Sequence, residues 1–440
     1  MAKLGIASIS LLSLFALLSL QFCASDAGLL NRIVASGGQE ISGDNGRYVV
    51  VFDAGKFMTT VHVFNFDQNV NLLKINGSLE VSHQVQEVLS SYADNPAAVA
   101  IDELFLLGEK KYEKILNVIR DLLSESPFLY KSEWVTILPG AKQGVYLWET
   151  INYLMGNVGR DYSKTVAVLN QDVATVQMAY AVSLKAAINA PKLPRGEEYI
   201  TAHHIQSNNY YLYSHGYFPY GAYAVRAEIL KYTNDSYNYC MTSGYNEQMN
   251  YYGEIYNVRA SPSGSSYEKC RENVLQALNL KATCYIKNCT FDGAWNGGGG
   301  AGLEKIYLTG GFHNTGADVG ITNRDIPSTD LKLLEYEELA KVSCGAKSLE
   351  EAHNLFPIVP AFDLPYLCMD LVYVYSILAD GFGIDPTEVV TALNTVQYEG
   401  SSFRVQWTLG AALELVSSKH TKMEDIPNVL LSSHTSNQVA

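Results

Sequence analysis

"RYVVVFDAGKFMTTVHVFNF", residues 47–66, decides how this chain folds. Arg47–Phe52 is Val-rich and alternates weakly, and Val61–Phe66 repeats the pattern, so the two read as strands of one hairpin. The turn between them opens Asp-Ala-Gly, as a phosphate-cradling loop would. It continues Lys-Phe-Met-Thr-Thr, which is poor material for that task. The pattern returns at residues 164–182, "KTVAVLNQDVATVQMAYAV", again strand, turn, strand. Two such hairpins suggest a duplicated architecture in which each presents its turn to a shared cleft.

The segments around the hairpins fill in an α/β pattern. Residues 79–92 and 109–124 have helical periodicity. "EWVTILPG" (133–140) reads as a strand ending in a Pro-Gly turn, and "GVYLWETINYLMG" (144–156) as a helix stopped by glycine. "WNGGGGAG" (295–302) reads as a flexible glycine loop that lacks the ending of a P-loop. "LPYLCMDLVYVYSILADGFG" (364–383) is expected as a buried helix and "WTLGAALELVSS" (407–418) as the last one. The 30 tyrosines concentrate between the second hairpin and Tyr256, where amphipathic rings serve packing.

At 440 residues, with 48% apolar and 17% charged residues, the chain can bury a large core. A formal charge of −14 argues against binding nucleic acid or an anionic membrane surface. Residues 1–25 carry one lysine, a long apolar run and small residues at Cys23 and Ser25, the makeup of a secretory signal peptide. An uncleaved signal anchor is the competing reading, and no second apolar run is long enough to span a membrane. Beyond Cys23 the cysteines are Cys240, Cys270, Cys284, Cys289, Cys344 and Cys368, an even set that favours three disulfides in a secreted protein. Fifteen pairings are open; sequential pairing is the expectation, because Cys284 and Cys289 can close a tight loop. Glycosylation sequons stand at Asn76, Asn234 and Asn288. These features predict entry into the secretory pathway, with an extracellular or a vacuolar destination left open.

At this point the sequence resembles a known family. "YVVVFDAG…VHVFNFDQN", "GVYLWETINYLMGN", "DYSKTVAVL…VQMAYAVS", "SHGYFPYGAYAVRAEIL" and "NCTFDGAWNGGGG" resemble plant apyrases, which are ecto-nucleoside triphosphate diphosphohydrolases. The resemblance runs from about residue 45 to 418. It implies a two-lobed actin-like, RNase H-like fold with a cleft between the lobes. On that basis residues 26–162 plus 406–425 are expected as the first lobe, 163–405 as the second, disulfide-containing lobe, and 426–440 as a loose tail. It also implies hydrolysis of nucleoside tri- and diphosphates with Ca2+ or Mg2+ and a glutamate general base.

Residue by residue, the chemistry of the family mostly fails to carry over. Where the first family loop resembles Asp-Ala-Gly-Ser-Thr-Gly-Ser-Arg, this chain keeps Asp53 but has Lys56, Phe57, Met58, Thr59 and Thr60. Glycine there lets backbone N–H groups approach phosphate closely, and Phe57 and Met58 would crowd it. Thr59 still offers a hydroxyl, and Lys56 a point charge without arginine's fork. The second loop, resembling Asp-Leu-Gly-Gly-Gly-Ser-x-Gln, reads Asn170, Gln171, Asp172, Val173, Ala174, Thr175, Val176, Gln177. Asp172 sets a negative charge where a phosphate would sit. Gln143 stands at the general-base position, and glutamine there costs a factor of about 100 to 10,000. The motif resembling Ala-Thr-Ala-Gly-Leu-Arg aligns with "AIDELF", with Ile101 and Phe105 in place of Thr and Arg.

The expectation is therefore a kept fold and a lost nucleotide chemistry: a secreted apyrase-like protein whose cleft binds an unknown small molecule, glycan or protein without hydrolysis. Its cofactor need is none, with Ca2+ or Mg2+ required only if apyrase activity survives. One alternative is a repurposed enzyme, with Asp53, Lys56, Asp102, Glu103, Lys142, Gln143 and Asp172 doing acid–base work on an organic metabolite in a pocket made apolar by Phe57, Met58, Ile101 and Phe105. The other is a residual phosphohydrolase using Asp53 and Asp172. No metal site is expected: His203 and His204 are adjacent and diverge on a strand, and His62 lies mid-strand.

Overall fold

The computed structural model describes residues 46–54, 59–85, 109–126, 128–192, 198–206, 208–233, 237–251 and 254–417. Lys56, Phe57, Met58, Ile101, Asp102, Glu103, Phe105 and Asn234, like the signal segment and the tail, lie outside them. By their contacts the described residues divide into two units. One takes in those up to Pro139 with Asn250–Ile255; the other takes Gly140–Met249 and those from Tyr256 on.

In the first unit, β1 (Arg47–Ala54) and β2 (Thr59–Phe66) form the expected antiparallel hairpin, with Asp53 opposite Thr60. β3 (Leu72–Leu73) and β4 (Val81–Val85) both pair with β2. The helix expected over 79–92 is therefore a strand where it is described. Five residues are too few to hold a helix by themselves, while the open edge of β2 supplies a ladder partner. The helix at Glu109–Ser124 forms as expected. The strand expected in "EWVTILPG" does not: Ser132–Trp134 is a short 3₁₀ turn. Its surroundings find a guanidinium rather than a neighbouring strand, since Arg120 donates to the carbonyls of Ser132 (3.3 Å) and Val135 (2.9 Å).

The second unit is built on β5 (Ala167–Gln171), β6 (Val176–Val182), β7 (Ile200–Ile205) and β8 (Asn208–Tyr217). The chain next forms the hairpin β9 (Asn246–Tyr251) and β10 (Glu254–Arg259). It returns to the sheet with β11 (Ile306–Gly310), β12 (Ser328–Lys332) and β13 (Val389–Leu393), and ends its strands with the hairpin β14 (Thr395–Tyr398) and β15 (Ser401–Arg404). The large sheet has the order β12-β13-β11-β5-β6-β8-β7. β5, β11 and β13 run parallel, whereas β6 is antiparallel to both β5 and β8. Five central strands with only the second reversed are the signature of an RNase H-like sheet. β5 and β6 are buried along their whole length, as strands covered on both faces are.

Helix Gly140–Leu154 packs on β5, β6 and β8 and against helix Trp407–Val416. Gly144 permits this approach, because a Cβ there would stand 2.7 Å from Ser214 Oγ. The lobe division drawn from the sequence assigns both helices to the first lobe; their packing groups them with the second unit. Three further helices, Tyr267–Ala277, Leu333–Gly345 and Leu367–Ser376, pack together, and the last is nearly all buried. The disulfides are Cys240–Cys270, Cys284–Cys289 and Cys344–Cys368, paired sequentially. The glycine loop expected to be flexible is pinned by Tyr180, whose hydroxyl donates to Asn296 O (2.6 Å) and accepts from Gly299 N (3.0 Å). Among the described residues no helix is long and apolar enough to cross a membrane.

Candidate active site

The second hairpin presents its turn, Asp172–Thr175, closed by Asp172 N donating to Thr175 O (2.9 Å). The carbonyls of the turn are spent on helix Ala224–Lys231 and its approach. Asp172 O accepts from Ala222 N (2.8 Å), Val173 O from Tyr223 N (3.0 Å), and Ala174 O from Gly221 N (2.9 Å). Gly221 is required at this contact, since a Cβ would fall 2.3–2.4 Å from backbone atoms of Ala174 and Thr175. The turn is thus fixed from behind, and its side chains decide what it offers in front.

What it offers is a carboxylate already served. Asp172 Oδ1 accepts from Val173 N (2.8 Å) and Oδ2 from Gln143 Nε2 (2.7 Å). Behind Gln143 stands a line of amides. Thr309 Oγ1 donates to Asn170 Oδ1 (2.9 Å), Asn170 Nδ2 to Gln177 Oε1 (2.6 Å), and Gln177 Nε2 to Gln143 Oε1 (3.3 Å) and to Thr175 Oγ1. Every donor in this line points toward Asp172, so the dipoles reinforce one another. Asn170 and Gln177 are buried, at 7% and 1% exposure, and the amide oxygen of each accepts a hydrogen bond within the protein.

The neighbouring residues are turned elsewhere. Lys142 pairs with Glu414, which also accepts from the Tyr146 hydroxyl (2.5 Å), and the Lys142 ammonium lies 4.9 Å from the Tyr146 ring centre. Burial pushes the Glu414 carboxyl up, but Lys142 and Tyr146 outweigh it and hold the group below its ordinary value. One turn further along the same helix, Glu149 is 1% exposed and pairs with His203 Nδ1 (3.0 Å). Burial raises its pKa despite that partner. His204 bonds Asn209 instead, so the two histidines diverge. His62 pairs with Glu80 in the first unit.

The structure thus gathers Gln143, Asp172, Thr175 and Gln177, sends Lys142 to Glu414, and places Asp53 and the buried Thr59 in the β1–β2 ladder of the first unit. Sequence reasoning missed Thr309 and Glu149. Thr309 is distant in sequence and gives no signal, but a glutamate inside the apolar run "GVYLWETINYL" is one. Where the resemblance implies a divalent cation, the second unit presents the Asp172 carboxylate and the Asn170 amide. Asn170 has both amide atoms bonded within the protein, and both oxygens of Asp172 face N–H donors. Among the described residues no three His, Cys, Asp or Glu side chains gather as a metal-binding set.

The sheet order defines an actin-like α/β fold. One solved structure, the nucleoside triphosphate hydrolases of Neospora caninum, matches with a TM-score of 0.50 over 89% of this chain and 96% of its own, at 11% identity. The chain belongs to the GDA1/CD39 (nucleoside phosphatase) family, whose model matches residues 39–105 and 100–428. It is 38% identical to an apyrase of Solanum tuberosum, covering 87% of this chain and 90% of the relative. It is 37% identical to a nucleoside-triphosphatase of Pisum sativum, covering 84% and 88%.

Proposed function

We propose that this member of the family has lost nucleoside tri- and diphosphate hydrolysis and acts by binding rather than by cleavage. The observation that supports this most strongly is the Asp172 carboxylate. It takes up the Val173 N–H and the Gln143 amide, donors of the kind a loop of this sort gives to a phosphate. A protein-borne anion therefore stands in for the substrate's. Gln143 adds a second obstacle, because its amide donates and can take no proton from an attacking water. This reading needs no Ca2+ or Mg2+. The three disulfides and the exposed sequon residues Asn76 and Asn288 support a life in the secretory pathway.

Calorimetric titration with ADP tests the anion argument. Removing one like charge from a partly buried loop is worth more than about 1.4 kcal/mol. The Asp172→Asn protein is therefore expected to bind ADP at least about tenfold more tightly than the unmodified protein. Equal affinity in the two would remove Asp172 from the explanation.

A further inference from the structure

The segment "CYIKNCT", residues 284–290, sets an aromatic ring close to a candidate sugar acceptor. Asn288-Cys289-Thr290 is a glycosylation sequon, and Tyr285 stands three residues before its asparagine. The Cys284–Cys289 disulfide closes the segment, with the two Cα atoms 5.8 Å apart. Tyr285 and Asn288 each lie one residue inside that bridge, so their own Cα atoms are no more than about 13 Å apart. The backbone bends at every residue from Tyr285 to Asn288, so the loop turns back on itself. Asn296 N donates to Asn288 O (2.9 Å) and Thr290 N to Ala294 O (2.7 Å), which holds the base of the loop.

Tyr285 is 92% exposed, the most exposed large hydrophobic side chain among the described residues. Among those residues neither its ring nor its hydroxyl has a partner. Tyr210, Tyr213 and Tyr217 behave otherwise: their rings are buried and their hydroxyls hydrogen-bonded. Tyr285 therefore gains nothing from packing within its own fold. Asn288 is exposed too, at φ 64°, a left-handed conformation that asparagine tolerates. Its side-chain amide makes no hydrogen bond among the described residues. The sequon at Asn76 offers a contrast, because Leu73, Lys74 and Ile75 precede it and none of them is aromatic.

We infer that Asn288 carries an N-linked glycan whose first N-acetylglucosamine packs on the face of the Tyr285 ring, an inference that rests on the secretory reading above. The axial C–H groups of a pyranose make one side of the sugar apolar, with slightly positive hydrogens. An aromatic face is apolar and carries negative potential, so the two surfaces match. Packing takes both out of water, and the disulfide lowers the entropic cost by fixing the loop beforehand. In the attachment step Asn288 Nδ2 bonds to the anomeric carbon of a lipid-diphosphate-linked oligosaccharide. The bond from that carbon to the diphosphate breaks, the diphosphate leaves with the electron pair, and the amide gives one proton to a base of the transferring enzyme. In the folded chain the half-buried Thr290 hydroxyl is hydrogen-bonded with the Tyr217 hydroxyl (3.0 Å) and donates to Ala294 O (3.2 Å). The transfer therefore precedes closure of this region, and the ring packs on the sugar afterwards.

Expression of the full chain in a secreting eukaryotic cell fed isotope-labelled glucosamine tests this. Glycopeptide mass spectrometry of the unmodified protein reads occupancy at each sequon, and Asn288 is expected to be occupied. In an Asn76→Gln, Asn234→Gln background, an endoglycosidase trims the remaining glycan to the single sugar on Asn288, whose ring protons are then read by NMR. Those resonances are expected upfield, through the tyrosine's ring current, of their positions in the same protein with Tyr285→Ala. Tyr285→Phe is expected to keep the upfield shift, because the face of the ring and not the hydroxyl makes the contact. Far-ultraviolet circular dichroism should be the same in all three, since Tyr285 is exposed. Identical sugar resonances with Tyr285 and with Ala would overturn the inference, as would loss of the shift in Tyr285→Phe. An empty Asn288 beside an occupied Asn76 would overturn it and leave the secretory reading standing, whereas no sugar at any sequon would overturn both.

Discussion

At the scale of single residues, one carboxylate and one amide carry the functional argument. The substitutions at Gln143 and Asp172 were legible in the sequence, because a general base and a glycine-rich turn have known residue requirements. Their direct hydrogen bond was not, since the two residues lie on different elements and nothing local encodes their approach. Lys142 shows the same limit. The sequence offers it as a candidate base, but Glu414, far along the chain, claims it. His215 yields a prediction. Its folded pKa of about 4 lies below the ordinary 6.5 because of burial. Between those values the unfolded chain binds a proton that the folded one refuses, so stability falls as pH drops from about 6.5 to 4 and the loss then levels off. The shift corresponds to at most about 3 kcal/mol. Urea unfolding across that range should show a shallower pH dependence for His215→Gln than for the unmodified protein; equal slopes would show that His215 titrates normally in the fold.

At the scale of elements, the paired hairpins were readable because their strands are short Val-rich runs flanking turn residues, and the signal is local. Val81–Val85 and the 133–140 segment were misread for a common reason: each took its structure from a distant partner, the edge of β2 in one case and Arg120 in the other. The glycine loop likewise owes its order to Tyr180 on β6. The disulfides join elements unequally. Cys344–Cys368 ties helix Leu333–Gly345 to helix Leu367–Ser376 across a separation of 24 residues, whereas Cys284–Cys289 closes a separation of 5. Loop-closure entropy grows with that length, so Cys344→Ala with Cys368→Ala should destabilise the protein by about 3 kcal/mol. The Cys284→Ala, Cys289→Ala pair should destabilise it by roughly 1 kcal/mol less. Chemical denaturation of the two double variants distinguishes them, and a larger loss from the short loop would contradict this order.

At the scale of the whole molecule, the proposal is that a kept fold has parted from its nucleotide chemistry. The chain belongs to the nucleoside phosphatase family and keeps an actin-like sheet order with buried central strands, and the resemblance was legible because fold-forming stretches are long and apolar. The replaced motif residues were legible because catalysis depends on a handful of residues whose replacement leaves such stretches intact. The measurement that bears most directly on this account is phosphate release from ATP and ADP by the purified protein with Ca2+ or Mg2+, beside the Gln143→Glu variant. The account predicts no metal-dependent release above background in the unmodified protein. It also predicts none in Gln143→Glu, because restoring the base leaves the Asp172 carboxylate in the phosphate's place. Clear metal-dependent release by the unmodified protein would contradict it and would mean that an apyrase works with Gln143 and Asp172 in its loops.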